Sequence, residues 1–118
     1  MSLPVDAATW QYLVNCGSPW IPSGALLRCK GQYPYESIVD FLVFDAIALA
    51  DAGFGLLVAS GYKAGLVRQI LPLESRGPEL AHGLQTRWLV ENWAVWGYPE
   101  CPVDQVMIRE SLHHPAAV

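Results

Sequence analysis

The chain has 118 residues, which is the length of one domain that can bury a core without disulfides or bound metal. Hydrophobic residues make up 53% of the sequence and charged residues 15%, which excludes an intrinsically disordered chain. Eleven acidic and 7 basic residues give a net charge of −4. This balance argues against nucleic acid or an anionic membrane as the partner, because both select basic surfaces.

The sequence shows no signal that would take the chain out of the cytoplasm. No apolar run approaches the roughly 18 residues needed to cross a bilayer, and the first residues lack the basic start and apolar centre of a secretory signal. Cys16, Cys29 and Cys101 are odd in number and widely spaced, which fits neither a disulfide framework nor a zinc site. We therefore expect a single cytoplasmic domain over residues 1–118 with reduced cysteines.

The N-terminal quarter contains one helical pattern and one loop pattern. Residues 7–16 predict a helix that Asp6 can cap and Gly17 can end. Residues 18–24 contain two prolines among small residues, which predicts a loop. Trp20 within this loop is interpreted either as a lid over the core or as an exposed contact residue.

Four segments with alternating side chains predict β-strands, at residues 25–30, 36–48, 54–60 and 66–71. β-branched and aromatic residues dominate the second of these, although residues 45–50 would suit a helix equally well. Short turns join the segments, so neighbouring strands should pair as antiparallel hairpins. A last short strand is expected at 103–109, before a tail at 111–118 that we expect to be frayed.

Residues 86–96 predict an amphipathic helix with an aromatic face. At 100° per residue one arc of this helix contains Leu89 together with Trp88, Asn92, Trp93 and Trp96. We assign the tryptophans to the core and expect Asn92 to clip the helix to a loop or to the proline-rich exit, because an unpaired buried amide costs about 1–3 kcal/mol. The pattern predicts an α+β fold, in which a mostly antiparallel sheet of four to five strands carries this helix.

The sequence contains no recognised catalytic, metal-binding or cofactor motif. It lacks His-Glu-x-x-His, CxxC, a phosphate-binding glycine loop and a nucleophile elbow. We therefore predict no catalytic residue, no metal site and no cofactor. The alternative is a small-ligand-binding or enzymatic domain, with a pocket beside the helix lined by Trp88, Trp96, Tyr98 and Cys101.

Between Gly31 and Tyr62 the chain has no Lys or Arg but four acidic residues, namely Glu36, Asp40, Asp45 and Asp51. One interpretation is a solvated sheet face that discourages edge pairing. Another is an acidic patch that steers a basic partner, and a metal site is a weaker third. Tyr62 and Lys63, held between two glycines, form either a tight turn or an exposed contact pair.

Three strings in the sequence resemble one known family. They are WIPSGALLRC at 20–29, SGYKAGL at 60–66 with ILPLES following at 70–75, and WLVENWAVWGYPEC at 88–101. The strings look like the immunity protein 45 family of bacterial polymorphic toxin and contact-dependent secretion systems. The resemblance spans roughly residues 20–109, and its tryptophan-rich string is the most distinctive part.

The resemblance implies a non-enzymatic cytoplasmic protein, made beside a secreted toxin of the kind delivered by type VI and related systems. It would bind and neutralise the catalytic domain of that toxin, and it carries over no catalytic residues. Exposure and charge predict the toxin contacts, which are Trp20, Glu36, Asp40, Asp45, Asp51, Tyr62 and Lys63. A homodimer that buries surplus apolar surface is a further possibility.

Overall fold

The computed structural model describes residues 10–31, 37–47, 53–61, 63–76 and 83–110. Over these residues the chain forms a six-stranded antiparallel sheet, a second sheet of two short strands and one α-helix. The predicted α+β class is confirmed. The larger sheet has six strands, whereas the sequence predicts four to five.

The bounds of the elements follow in chain order. The strands are β1 (Gln11–Tyr12), β2 (Trp20–Ile21), β3 (Leu26–Lys30), β4 (Ile38–Asp45), β5 (Phe54–Val58), β6 (Val67–Ile70), β7 (Leu84–Gln85) and β8 (Met107–Arg109). The helix α1 is Thr86–Trp96, and short 3-10 helices lie at Leu13–Asn15, Leu73–Arg76 and Val103–Gln105. The larger sheet has the order β1-β8-β3-β4-β5-β6, and β2 pairs with β7.

One face of the larger sheet makes the core. The alternation predicted for β3 and β4 is confirmed, because one set of side chains is buried, namely Leu27, Cys29, Val39, Phe41 and Val43. Leu89 and Trp93 of α1 are buried in the same cluster. The helix therefore covers one sheet face, as its aromatic arc predicts. We call the opposite face, which carries Leu26, Leu42 and Leu57, the open face.

The β5–β6 hairpin depends on glycine at two positions. Gly61 has φ 85° and Gly65 has φ 97°, a left-handed conformation that other residues rarely adopt. The amide of Gly65 donates to the carbonyl of Val58, which starts the pairing of the two strands. Beyond the turn a bulge in β6 shifts the register between Leu56 and Leu57 of β5.

The predicted helix at 7–16 is wrong for its described part. Residues 7–9 lie outside the described residues, and the remainder forms β1 and the 3-10 helix Leu13–Asn15. Gln11 pairs with Ile108, and the amide of Leu13 donates to the carbonyl of Val106. The backbone groups of this segment thus bond to a strand almost a hundred residues away rather than to each other, and local periodicity does not report that.

The predicted loop at 18–24 contains a short strand. Trp20 pairs with Gln85 and Ile21 with Leu84, which brings the loop against the start of α1. The Thr86 hydroxyl donates to the Ser18 carbonyl at 2.8 Å and reinforces this contact. The tail at 111–118 lies outside the described residues. In the part of the chain described here, no helix is both long and apolar enough to span a membrane.

Candidate functional site

Asp40 is one of the predicted acidic contacts that the structure describes. It lies on the open face, is buried, and forms two parallel hydrogen bonds with Arg28: Nε to Oδ1 at 2.9 Å and Nη2 to Oδ2 at 3.0 Å. The hydrogen bonds that Arg28 donates to the Asp40 carboxylate raise the pKa of Arg28, and the guanidinium lies 4.2 Å from the ring centroid of Trp10. The Asp40 charge is therefore balanced within the fold and little of it reaches a partner.

Asp45 stands at the end of β4 and is also paired within the fold. Its Oδ1 oxygen accepts a hydrogen bond from Arg76 and a second hydrogen bond, of 3.0 Å, from the backbone amide of Ile47. Arg76 is buried, donates to the carbonyl of Gly53 at 3.2 Å, and lies 4.4 Å from the ring of Phe54. The Asp45 side chain is still 45% exposed, so it is the more accessible acid of the two.

The other predicted contacts divide by where they lie. Glu36, Asp51 and Tyr62 fall outside the described residues. Lys63 is exposed in the β5–β6 turn, and Trp20 is 38% exposed on β2. Trp20 and Lys63 therefore stand at the surface, on different parts of the chain, and their role as toxin contacts stays a prediction.

The residues expected to be structural all belong to α1. Trp93 is buried, and its indole nitrogen donates to the carbonyl of Cys101 at 2.8 Å. The Trp88 indole donates to Glu74 at 3.2 Å, and its ring lies 6.4 Å from that of Trp96. The Asn92 amide donates to the Trp88 carbonyl one turn earlier. The expected clip by Asn92 is thus wrong in its partner: Trp93 makes the link to the exit segment, because its indole reaches past the helix end.

The cysteines show no arrangement suited to catalysis. Cys29 and Cys101 are fully buried, and burial raises the pKa of Cys29 far above its ordinary value. Cys16 is half-buried, close to the carboxylate of Glu110, and burial raises its pKa as well. Both shifts keep a thiol protonated and unreactive at neutral pH. In the described ranges no three His, Cys, Asp or Glu side chains are grouped to hold a metal.

A groove of about 340 Å³ lies between α1 and the 3-10 helix Leu13–Asn15. Its polar groups are already engaged with each other: the Thr86 hydroxyl with Ser18, and Arg87 with Glu91 at 3.0 Å. This is the side of α1 opposite the predicted pocket, whose Cys101 is fully buried. Among the residues that the structure describes, neither place presents converging free polar groups, which a small-ligand site requires.

An apolar strip crosses the open face, where the sequence predicts no apolar site. Leu26, Leu42, Leu57 and Val67 lie directly opposite one another on β3, β4, β5 and β6. The three leucines are half-buried and Val67 is exposed. Alternation places Leu26 and Leu42 on the face away from the core, so this strip had a sequence signal: both faces of these strands are apolar, not only one.

One of the comparisons with known proteins identifies a family for the chain. No curated protein and no solved structure matches the chain. The profile of the family described as Immunity protein 45 matches residues 13–108, which is more than four fifths of the chain and includes β2 to β7, α1 and most of β8. The match starts within the 3-10 helix that follows β1 and stops in the last strand, so it covers the folded unit described above. The chain therefore belongs to the Immunity protein 45 family.

Proposed function

We propose that this chain neutralises a cognate bacterial toxin by binding it, and that it does so without catalysis. The observation that carries the proposal is the family match over residues 13–108. An immunity protein must recognise one toxin tightly, and a preformed surface on a rigid sheet is suited to that task. The toxin would be made beside this chain and secreted, and the complex would form in the cytoplasm of the producing cell.

The arrangement of charged groups supports binding over chemistry. Asp40 is paired with Arg28, and Asp45 with Arg76, so these side chains hold the fold together. Burial raises the pKa of the Cys29 thiol, so this thiol stays protonated at neutral pH. The surface also offers apolar area on the open face and exposed aromatic and charged side chains of both signs, which are the materials of a protein interface.

The predicted contact residues are proposed to act on the toxin in different ways. Trp20, Lys63 and Asp45 are accessible, and we propose that they contribute to binding directly. Asp40 would act through Arg28, because its own carboxylate is buried in their pair. Glu36, Asp51 and Tyr62 remain contact proposals on sequence grounds alone.

The test is co-expression with the toxin encoded beside this chain, followed by measurement of the complex. We expect growth to be rescued, and a one-to-one complex to survive size-exclusion chromatography at nanomolar concentrations. A toxin from an unrelated pair serves as the control and should neither bind nor be neutralised. Rescue without any detectable complex, or a complex without rescue, would contradict neutralisation by binding.

Point variants make the contact proposal sharper. Trp20→Ala and Lys63→Glu should weaken the complex, by roughly tenfold or more where the residue is an anchor. Val95→Ala and Arg87→Glu are the matched controls, since both are highly exposed on the outer side of α1. Equal affinity for all four variants would remove Trp20 and Lys63 from the interface.

A further inference from the structure

β6 forms one outer edge of the larger sheet. β6 pairs with β5 on one side, and among the described residues no strand pairs with its other side. Edge strands are commonly protected by a proline, a charge, a bulge or a covering element. β6 has the bulge described above and carries Arg68, so its edge is only partly protected. Residues 66–71 contain no proline and no acid, and Leu66 and Val67 are 58% and 53% exposed.

The hydrogen bonds of the hairpin fix which peptide groups face outward. The amide of Leu71 donates to the carbonyl of Phe54, and the carbonyl of Leu66 accepts from the amide of Val58. In an antiparallel ladder the residue next to each bonded position turns its amide and carbonyl the other way. The peptide groups of Val67 and Ile70 therefore point away from β5, toward the free edge.

The side chains at this edge continue the apolar strip of the open face. Val67 lies opposite Leu57, and Ile70 lies opposite Gly55, whose missing side chain leaves room for the ring of Phe44. A strand added beyond β6 would thus extend both the backbone ladder and the apolar strip. Backbone bonding would provide affinity, and alternate side chains would provide specificity.

The charge at the edge selects the chemistry of the added strand. From residue 52 to residue 73 the sequence has no Asp or Glu, whereas it has Lys63 and Arg68. Arg68 lies 5.3 Å from the ring of Tyr98, and within the described ranges no carboxylate forms an ion pair with it. This edge is therefore locally positive in a chain of net charge −4, and it fits a strand that carries an acidic side chain.

We propose that an extended segment of the toxin adds to β6 as a seventh strand of the larger sheet. The segment would place apolar side chains beside Val67 and Ile70 and a carboxylate near Arg68. This inference rests on the proposed function, and it deepens that function by naming the surface and the kind of segment that binds. It adds a positively charged edge to the contacts proposed above, and at that edge it requires an acidic rather than a basic segment of the partner.

The first experiment removes one outward amide without changing the core. Val67→Pro deletes the amide that faces the edge, and its ring blocks the approach of a strand. Val67→Thr is the matched control, because it keeps the amide and the β-branched shape. In titrations of the toxin we expect the proline variant to lose at least about a hundredfold in affinity and the threonine variant less than about fivefold. Thermal melts of both variants show whether the fold is retained, and Ile70→Pro repeats the test at the second outward amide.

The second experiment tests the charge. Arg68→Glu should weaken the toxin complex by about tenfold or more, whereas Arg87→Glu on α1 should leave it within about twofold. An effect of Arg68→Glu that disappears in high salt agrees with a long-range charge contact. Equal affinities for the two reversals would remove the acidic side chain from the proposal.

The third experiment observes the added ladder directly by amide hydrogen exchange in the wild-type complex. Strand addition predicts that the Val67 and Ile70 amides, which face outward in the free protein, become protected on binding the toxin. A toxin complex in which these amides stay unprotected and Val67→Pro binds normally would overturn strand addition and leave the proposed function intact. Absence of any complex with the neighbouring toxin would overturn both. A homodimer of the free protein that Val67→Pro dissociates would also overturn it, since a second copy would then occupy the edge.

Discussion

The indole nitrogen of Trp93 donates a hydrogen bond of 2.8 Å to the carbonyl oxygen of Cys101, which joins the middle of α1 to the segment that leaves it. Gly97, which ends the helix, lies against the same indole, and a Cβ added there would be 2.4 Å from the ring. The amide of Gly97 donates to the carbonyl of Trp93. The helix, Gly97 and the exit segment thus pack around the Trp93 side chain, which is buried in the hydrophobic core.

Trp93→Phe should therefore destabilise the protein even though it keeps an aromatic ring. The Cys101 carbonyl is buried and would lose its side-chain donor, so we expect a loss of about 1–3 kcal/mol in the free energy of unfolding. Trp93→Ala adds a large cavity and should cost about 3–5 kcal/mol. Urea denaturation measures both.

The control for these variants is Val95→Ala on the same helix, where the side chain is 76% exposed. It should change the stability by less than about 0.5 kcal/mol. A Trp93→Ala protein that kept its stability and lost only toxin binding would show that Trp93 belongs to the interface rather than to the core.

The bounds of α1 follow from its sequence because the aromatic residues recur at a helical spacing on one face. The strands of the β4–β5 and β5–β6 hairpins are predictable for a similar reason, since their alternation and their turns are local. The hydrogen bond of Trp93 was not predictable. Asn92 carried the obvious polar group, whereas the length of the indole side chain and the path of the exit segment decided the partner.

Long-range pairing accounts for the other differences between sequence and structure. The two-residue strands β1 and β2 exist only because β8 and β7 lie beside them. The acidic stretch at 36–51 lacks basic residues of its own, yet Arg28 and Arg76 from outside it pair with Asp40 and Asp45. A local count of charges therefore overstated how acidic the surface would be.

Asp40→Asn should lower the free energy of unfolding by about 1–3 kcal/mol, because it disrupts the pair of hydrogen bonds that the buried Asp40 accepts from Arg28. The loss should lie at the lower end of this range, since 38% of the Arg28 side chain is exposed and water can solvate it. Asp104→Asn is the control, because Asp104 is exposed and lies outside the sheet. Chemical denaturation of both variants measures the difference.

Arg28→Lys separates the geometry of this pair from its charge. A lysine keeps the positive charge and cannot form the two parallel bonds, so it should recover only part of the pair's contribution. Full stability of Arg28→Lys together with a destabilised Asp40→Asn would show that geometry matters little. Any binding assay that reverses Asp40 needs this stability measurement beside it, since a lysine there would unpair a buried position.

Gly53→Ala should be strongly destabilising. A Cβ at this position would lie 2.4 Å from the carbonyl oxygen of Pro72 and 2.0 Å from the hydroxyl of Ser75, and a backbone atom cannot simply rotate aside. Overpacking of this kind costs about 1–3 kcal/mol or more. It would also disturb the carbonyl of Gly53 that accepts from Arg76.

The control is Gly17→Ala, where an added Cβ meets nothing within 4 Å. That variant should be neutral or slightly stabilised, because alanine lowers the entropy of the unfolded chain. Thermal unfolding of the pair measures the contrast. Equal melting temperatures would show that the segment at Pro72 yields without cost and that the contact at Gly53 is loose.

The buried thiol of Cys29 predicts how stability depends on pH. Burial raises its pKa in the folded protein, whereas in the unfolded chain its pKa is about 8.5. Above that pH the unfolded state releases a proton that the folded state keeps, so the unfolded state is favoured and stability falls as the pH rises. Denaturation from pH 7 to pH 10 should show this loss, and Cys29→Ala should show a smaller slope from a lower starting stability.

Alkylation gives an independent measurement: Cys16 should react before Cys29 and Cys101, which need the protein to unfold first. Rapid labelling of Cys29 in the native protein at pH 8, or identical slopes in the two proteins, would contradict a protonated thiol sealed in the core.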